Sequence, residues 1–394
     1  MSKVELTKGV YWVGAIDWNI RNFHGYSTRR GSTYNAYLVV DEKIALIDTV
    51  KAPFYEEMAA RVREIVPFDK IDYVISNHVE MDHSGSLPMA MKEAVNAKLV
   101  TLAKFGESGL AKTFHQSWPT IAVKEGSTLD LGKRKITFIP TPMLHWPDSM
   151  CSYLVEDKLL FSMDAFGQHL ATSQRFDDEV DMSVVMQEAS KYYANILMPF
   201  GDLIVKAVAK LGGIKIDILA PSHGIIWRSH IKDIVQAYAS WGKGETAAKA
   251  LVIYDTMWGS TDLMAKAIAK GMISEDVDVK VFNLTSSDKS DIVKEVLDAK
   301  ALLIGSPTLN NGMFPSVAEF LCYIKGLKPK NKIGTAFGSH GWGGSGGAIK
   351  AIEQELGLAG IEFIDSKLAF RFVPDEAEIQ QCVDFGREMA KRIK

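Results

Sequence analysis

The sequence predicts an α/β protein of two domains: an N-terminal α/β sandwich followed by a doubly wound parallel sheet. The chain has 394 residues, which exceeds what a single hydrophobic core usually supports. Short apolar strands with intervening helices fill residues 1–240, whereas strands and helices alternate regularly from residue 250. Regular alternation over this length is typical of βαβ units, which build a parallel sheet.

The N-terminal half contains apolar segments of strand length, many of them β-branched or aromatic. The predicted strands are residues 34–40, 44–48, 72–76, 135–140, 152–155 and 159–161, and the predicted helices are residues 53–66 and 182–197. Residues 240–246 are small and polar with two glycines, which predicts a linker. We therefore expect domains at residues 1–246 and 247–394.

The C-terminal half shows the regular alternation of strands and helices most clearly. The predicted strands are residues 250–254, 279–284, 301–305 and 332–337, with a fifth inside residues 361–372. Ligands of such sheets bind beyond the carboxyl ends of the strands. The loops after these strands are therefore the first place to look for a cofactor.

The composition excludes several classes of protein. The 45 Lys and Arg against 48 Asp and Glu give a net charge of −3, which argues against a nucleic-acid partner. No apolar run reaches the roughly 18 residues that a membrane-spanning helix needs. The first residues do not resemble a secretory signal, and Cys151, Cys322 and Cys382 are too far apart for a CxxC site. We expect a cytoplasmic protein.

Four candidate metal ligands fall within six residues, in the segment His78-x-Glu80-x-Asp82-His83. Imidazole and carboxylate ligands suit zinc, iron or manganese. If the segment is extended, alternation directs three of these side chains to one side and His83 elsewhere, so that it could serve two metals. The alternative is an ordinary solvated polar loop.

Three further polar residues each follow an apolar strand, where functional side chains are often carried. These are His145, Asp164 and His223. Any one of them alone is more often a turn or core residue. Together with the histidine and carboxylate segment they favour a metal centre.

This set of residues resembles the metal-binding pattern of the metallo-β-lactamase superfamily. Hydrolytic members carry a second histidine where Glu80 stands here, and this difference resembles the flavodiiron proteins, or A-type flavoproteins. The resemblance implies one iron bound by His78, Glu80 and His145, and a second bound by Asp82, His83 and His223, with Asp164 as the bridge. It also implies a metallo-β-lactamase-like αββα sandwich followed by a flavodoxin-like domain.

Elementary chemistry agrees with iron at this site. A carboxylate in place of a neutral imidazole adds negative charge and a harder donor, which favours an oxidisable iron pair over zinc. Asp48, at the end of a predicted strand, is a candidate to orient the histidines. His24 and His169 are candidates to donate protons in the substrate pocket. The resemblance adds Tyr192, from a Tyr-Tyr-Ala-Asn-Ile segment that approaches the irons in related proteins.

Three loops of the C-terminal half form a candidate cofactor site, and the first of them resembles the flavodoxin phosphate loop for FMN. The first is rich in hydroxyls, follows an apolar strand and opens a helix, which suits a phosphate. The other two are rich in small residues that let the backbone approach a flat ring. The residues expected to contact FMN are Thr256, Met257, Trp258, Gly259, Ser260 and Thr261 in the first loop, Pro307, Thr308, Leu309, Asn310, Asn311 and Gly312 in the second, and Ser339, His340, Gly341, Trp342 and Gly343 in the third.

The resemblance implies an enzyme that reduces dioxygen to water, nitric oxide to nitrous oxide, or both. The resemblance also implies a separate rubredoxin-like donor that passes electrons through FMN. No nicotinamide fingerprint is visible, so we do not expect NAD(P)H to bind directly. A head-to-tail homodimer, or a dimer of such dimers, is also implied. Two alternatives stay open: a zinc hydrolase of the same superfamily fused to a flavodoxin, and an electron carrier whose first domain is a degenerate scaffold.

Overall fold

A computed structural model describes residues 3–341 and 346–394, which form two compact units. One unit comprises Met1–Tyr192 with Asp202–Ala239, and the other comprises Tyr193–Gly201 with Ser240–Lys394. The helix Ile231–Lys243 occupies the first part of the predicted linker, so the expected linker at residues 240–246 is wrong except for its last residues. The domain boundary after residue 246 stays a prediction.

The N-terminal unit contains two large sheets and two small ones. The strand order of the seven-stranded sheet is Val4–Thr7, Val10–Trp12, Tyr37–Val40, Ile44–Ile47, Tyr73–Ser76, Lys98–Leu102 and Thr120–Val123. The five-stranded sheet runs Thr128–Asp130, Lys135–Pro140, Met150–Leu154, Leu159–Met163 and Ile218–Pro221. Two short antiparallel pairs join Ala15–Asp17 to Ser32–Tyr34 and Asn22–Phe23 to Tyr26–Ser27.

Alternation along the strands explains the layers of this unit. Successive side chains of a strand point to opposite faces. Val39 and Ile47 join the core between the two large sheets, which Phe138 enters from the other side. Their neighbours Leu38 and Leu46 face a second core beneath a layer of helices. The predicted sandwich is confirmed.

The helices cover the outer faces of the sheets. Before residue 247 they are Tyr55–Arg63, Met81–Ser84, Leu87–Glu93, Phe105–Phe114, Met182–Tyr192, Gly201–Leu211 and Ile231–Lys243, with one π-helical segment, Tyr193–Leu197. Short 3₁₀ turns lie at Ala52–Phe54, Phe68–Lys70, Asp177–Glu179 and Met198–Phe200. Within the described part of the chain, no helix combines the length and apolar character needed to cross a membrane.

Two predicted elements are divided in the structure. The strand expected at residues 34–40 splits because Asn35 leaves the ladder: its N–H donates to the Ser222 carbonyl oxygen (2.8 Å) and its amide to the Pro221 carbonyl oxygen (2.8 Å). The helix expected at residues 182–197 changes from α to π geometry at Tyr193. The break at Asn35 is caused by hydrogen bonds to residues that are distant in sequence, and such contacts cannot be predicted from the local sequence pattern.

The C-terminal unit is a parallel sheet, as predicted. Its strand order is Asp278–Asn283, Ala247–Tyr254, Ala299–Gly305, Ile333–His340 and Glu362–Phe363, with Ala369–Arg371 pairing the far end of the fourth strand. Numbered along the chain this is 2-1-3-4-5, the flavodoxin-like order. The helices are Ser260–Ile273, Lys289–Val296, Pro315–Leu327, Gly347–Leu358 and Glu376–Ile393.

Candidate metal centre and flavin pocket

The seven predicted metal ligands converge in two groups. His78, Glu80, His145 and Asp164 form one group, and Asp82, His83 and His223 form the other. Within each group the ligand atoms all lie within 4.8 Å of one another. Six of the seven side chains are buried, and His145 is half-buried. Residues that are distant in sequence thus come together as expected.

Strand ends and one short helix position these side chains. His78 and Glu80 follow the strand Tyr73–Ser76, whereas Asp82 and His83 lie in the helix Met81–Ser84. The expectation of an extended segment is therefore wrong beyond Glu80. The helical turn nevertheless separates the two pairs, so that each pair joins a different group.

Asp164 lies between the two groups and turns one oxygen toward each. Its Oδ1 is 3.2 Å from His83 Nε2 and 3.5 Å from His223 Nε2. Its Oδ2 is 3.2 Å from His145 Nε2 and 3.7 Å from His78 Nε2. A single carboxylate can therefore serve both groups.

The polar atoms at the centre of the cluster lack hydrogen-bond partners. Both carboxylate oxygens of Asp82 and of Asp164, and both ring nitrogens of His83, are buried and form no well-oriented hydrogen bond among the described residues; the short contacts of Asp82 and Asp164 are ion pairs within the cluster. Buried polar atoms without partners are costly in a folded protein. Imidazole and carboxylate donors in this state fit metal cations, which would satisfy them directly.

The charged groups of the cluster shift one another's pKa values. Burial lowers the pKa of a histidine, yet Asp82 and Asp164 raise the pKa of His83 to about 9. Burial likewise raises the pKa of a carboxyl group, yet His83 and His145 hold that of Asp164 well below its usual range. The Asp164 carboxyl group is therefore ionised, and a cation that binds there would replace a proton on the His83 imidazole.

Two of the histidines are oriented by contacts to their Nδ1 atoms, which point away from the centre of the cluster. The Nδ1 of His78 is 3.1 Å from Asp148 Oδ2, and the Nδ1 of His223 is 2.7 Å from the Thr33 carbonyl oxygen. The sequence pattern does not predict this role for Asp148, which lies three residues after His145. Asp48, the candidate for this role, instead accepts hydrogen bonds from the backbone and side-chain nitrogens of Asn77 and forms no hydrogen bond with a histidine of the described residues.

The three candidate proton-handling residues border the cluster. His24 Nε2 is 2.9 Å from Glu80 Oε1, and the His24 side chain is 67% exposed. His169 is buried between the Tyr26 hydroxyl (2.6 Å) and the Ser32 hydroxyl (2.7 Å). The Tyr192 ring lies 5.0 Å from the ring of His169, centroid to centroid. Burial and the neighbouring His223 keep the pKa of His169 well below its usual value, so this imidazole is neutral.

A cavity of about 510 Å³ lies at the carboxyl ends of the C-terminal strands. This volume suits a small-molecule cofactor, for which ~300–1,000 Å³ is typical. The predicted residues that line it are Thr256, Met257, Trp258, Ser260, Pro307, Thr308, Leu309, Asn310, Asn311, Ser339, His340 and Gly341. Gly259, Thr261 and Gly312 do not line it, and Trp342 and Gly343 lie outside the described residues. Phe372 and Val373 also line the cavity, although the sequence pattern does not predict them.

The first loop of this cavity fits a phosphate group. Gly259 precedes the helix Ser260–Ile273 with a φ of 91°, and no side chain caps that helix. Thr261, in the first turn, is fully buried, and its hydroxyl has no partner among the described residues. Free N–H groups and a hydroxyl at a helix N-terminus are the donors that a phosphate accepts.

The comparisons with known proteins agree with both sites. Residues 33–224 match the family described as ODP family beta lactamase, and residues 252–386 match the flavodoxin family. The chain is 49% identical to the nitric oxide reductase of Moorella thermoacetica, covering 99% of this chain and 98% of that protein. It is 40% identical to the anaerobic nitric oxide reductase flavorubredoxin of Escherichia coli, covering 99% and 82%.

Two solved structures have closely similar folds. The rubredoxin oxygen:oxidoreductase of Desulfovibrio gigas matches with a TM-score of 0.95 and 39% identity, covering 100% of this chain and 98% of that one. The flavodiiron protein of Giardia intestinalis matches with a TM-score of 0.96 and 39% identity, covering 100% and 97%. The similarity therefore spans both units.

Proposed function

This chain belongs to the flavodiiron proteins, and we propose that it reduces nitric oxide to nitrous oxide, with reduction of dioxygen to water as a second activity. It is an oxidoreductase whose cofactors are FMN and two non-haem irons. The position of Asp164 between two histidine and carboxylate groups carries the proposal. The likeness to the D. gigas rubredoxin oxygen:oxidoreductase favours the second activity.

We assign the iron ligands by group. His78, Glu80 and His145 would hold one iron, Asp82, His83 and His223 would hold the other, and Asp164 would bridge them. When bound, the irons supply electrons to the gas and FMN replenishes them. The protein contributes three carboxylates, which offset most of the charge of two divalent ions and favour iron over zinc.

The residues around the cluster would supply protons, which the reduction of either gas consumes. His24 donates a proton from Nε2 to Glu80 Oε1, and its exposed ring can exchange protons with solvent. His169 shares protons with the hydroxyls of Tyr26 and Ser32 at its two ring nitrogens. Tyr192 packs against His169 and keeps water away from that ring.

We also propose a rubredoxin-like electron donor, a head-to-tail homodimer or a dimer of such dimers, and a cytoplasmic location. The names of the E. coli and D. gigas relatives support the donor. The three cysteines, all unpaired, suit a reducing compartment. Analytical ultracentrifugation tests the dimer, since a fully active monomer would contradict it.

The decisive experiment compares both gases with one donor. Protein loaded with iron and FMN is reduced anaerobically through rubredoxin and mixed with nitric oxide or dioxygen, and gas loss and nitrous oxide are measured. We expect turnover of nitric oxide with nitrous oxide as product. Turnover of neither gas would overturn the proposal, and zinc-dependent hydrolysis of a thioester or phosphodiester would establish the alternative hydrolase.

A further inference from the structure

We propose that Asp148 is a positioning residue that holds the His78 ring with Nε2 toward the metal position and thereby tightens iron binding in that group. The inference rests on the proposed function, because it concerns a ligand of the proposed iron centre. Asp148 contacts Nδ1 of His78, the ring nitrogen opposite the one that would bind the metal, and does not contact the metal position itself. Its role is therefore distinct from that of the seven proposed ligands.

The hydrogen bonds around Asp148 fix the protonation of His78. Asp148 Oδ2 accepts from the backbone N–H of Val79 (2.6 Å) and lies 3.1 Å from His78 Nδ1. A carboxylate only accepts, so the proton of the His78 ring is assigned to Nδ1. Nε2 faces Glu80 Oε2 at 3.2 Å and Asp164 Oδ2 at 3.7 Å, so a cation bound among these groups would displace the proton of Nε2 and leave that of Nδ1 in place.

Burial makes this contact specific. The Asp148 side chain is 4% exposed and that of His78 is fully buried. Water therefore does not replace the carboxylate, and the ring cannot turn without breaking the contact. A buried carboxylate behind a ligating histidine also increases the basicity of the ligand.

The other histidines of the centre are supported differently. His223 Nδ1 faces the Thr33 backbone carbonyl, and His83 Nδ1 has no partner among the described residues. The carboxylate support is thus a property of the group that contains His78. We expect the loss of Asp148 to weaken one iron position more than the other.

Asp148 also links two ligand-bearing segments. It belongs to the loop of residues 141–149, which carries His145, and Met150 next to that loop donates its N–H to the Asn77 carbonyl oxygen (3.1 Å). The carboxylate of Asp148 therefore joins the His145 loop to the end of the strand that precedes His78. One residue positions two ligands of the same group.

The test compares Asp148→Asn with Asp48→Asn as a matched control. Both carboxylates are buried and accept N–H groups from residues 77–79, but Asp48 forms no hydrogen bond with a histidine of the described residues. Iron affinity is measured by chelator competition, with FMN content as the check on folding. We expect Asp148→Asn to lower the affinity of one of the two irons about 10–100-fold, while Asp48→Asn changes it less than about twofold. FMN content stays unchanged in both.

Equal iron affinity in Asp148→Asn and the parent would overturn the inference, as would an equal loss in Asp48→Asn, which would indicate a general effect of loop disruption.

A second measurement uses the unaltered protein in case the variant fails to fold. In the zinc-loaded, diamagnetic form, ¹H–¹⁵N NMR should show a protonated His78 Nδ1 protected from exchange. An unprotonated Nδ1 would overturn the inference. If the parent binds no iron, the proposed function itself fails; if it binds two irons but Asp148→Asn is silent, only this inference fails.

Discussion

The metal centre and the flavin pocket both lie at the carboxyl ends of strands, but they are built in opposite ways. The metal centre consists of histidine and carboxylate side chains that are almost wholly buried, drawn from four separate segments. The flavin pocket is an open cavity lined mainly by three loops, with no Asp, Glu, Lys or Arg among its described lining residues. The first site therefore depends on the identity of single side chains, and the second depends on the shape of the backbone.

This difference sets the expected sensitivity of the two sites to substitution. A charged ligand that is removed leaves its buried partners without compensation, which is costly. A hydroxyl that is removed from a phosphate loop leaves several backbone donors in place. The predictions below use this contrast in order of decreasing effect on turnover.

The largest effect is expected for Asp164→Asn, because Asp164 contacts histidines of both groups. Loss of a residue that only orients a ligand already costs about 10–100-fold in metal affinity or activity, so loss of the shared carboxylate should cost more. Iron content and gas turnover are measured, with the flavin spectrum as internal control. A variant that keeps both irons and most of its turnover would contradict the claim that the metal centre depends on single charged side chains.

Glu80→His should have the next largest effect. Glu80 Oε2 lies 3.1 Å from His145 Nε2 and 3.2 Å from His78 Nε2, and its replacement removes negative charge from that group. We expect iron loading to fall or to shift toward zinc while FMN stays bound. Metal analysis after growth with both metals decides this, and unchanged iron content and turnover would show that the assigned role of Glu80 is wrong.

Thr261→Val should weaken FMN binding without harming the apoprotein. The loss of one hydrogen bond to a charged phosphate costs about 1.5–3 kcal/mol, roughly 10–100-fold in affinity. Thr335→Val is the matched control, because the Thr335 hydroxyl is equally buried and unpartnered among the described residues but lies in the strand Ile333–His340 and not in the first turn of the helix after the phosphate loop. Both variants should keep or raise the apoprotein melting temperature, and an equal FMN affinity in both would contradict the assignment of Thr261.

The smallest effect on turnover is expected for Lys332→Met, which tests a buried charge outside both sites. Burial lowers the pKa of Lys332 to about 7, and its amine donates to the Leu297 carbonyl oxygen. The unfolded chain, with a lysine pKa near ~10.4, binds more protons between pH ~7 and ~10, so the stability of the parent rises with pH in that window.

In Lys332→Met the burial penalty is absent. We expect a gain of about 1–3 kcal/mol in the free energy of unfolding at pH ~7 and below, which fades as the pH approaches ~10. Denaturant unfolding at a series of pH values measures it. If the gain in the free energy of unfolding does not depend on pH, the stabilisation comes from better packing of Met and not from removal of the buried charge.

The sequence predicts the metal centre better than its surroundings. His145, Asp164 and His223 can be found because each is a lone polar residue at the end of an apolar strand. The choice between Asp48 and Asp148 cannot be made in this way, since both are acids beside strands. Only the folding of the loop at residues 141–149 brings Asp148 to His78.

The same limit applies to the fold and to the flavin pocket. The alternation of strands and helices predicts the parallel sheet, and the loops after its strands line the cavity. Phe372 and Val373 escape prediction because they follow a strand of only three residues that pairs with the far end of its neighbour. The break at Asn35 depends on contacts with Pro221 and Ser222, which are about 190 residues away.

Anaerobic mixing of the fully reduced protein with nitric oxide tests the central claim most directly. The parent should contain two irons for each FMN, form nitrous oxide and reoxidise its flavin, whereas Asp164→Asn should retain FMN and do neither reaction. Equal rates of flavin reoxidation and nitrous oxide formation in the two proteins would contradict the account.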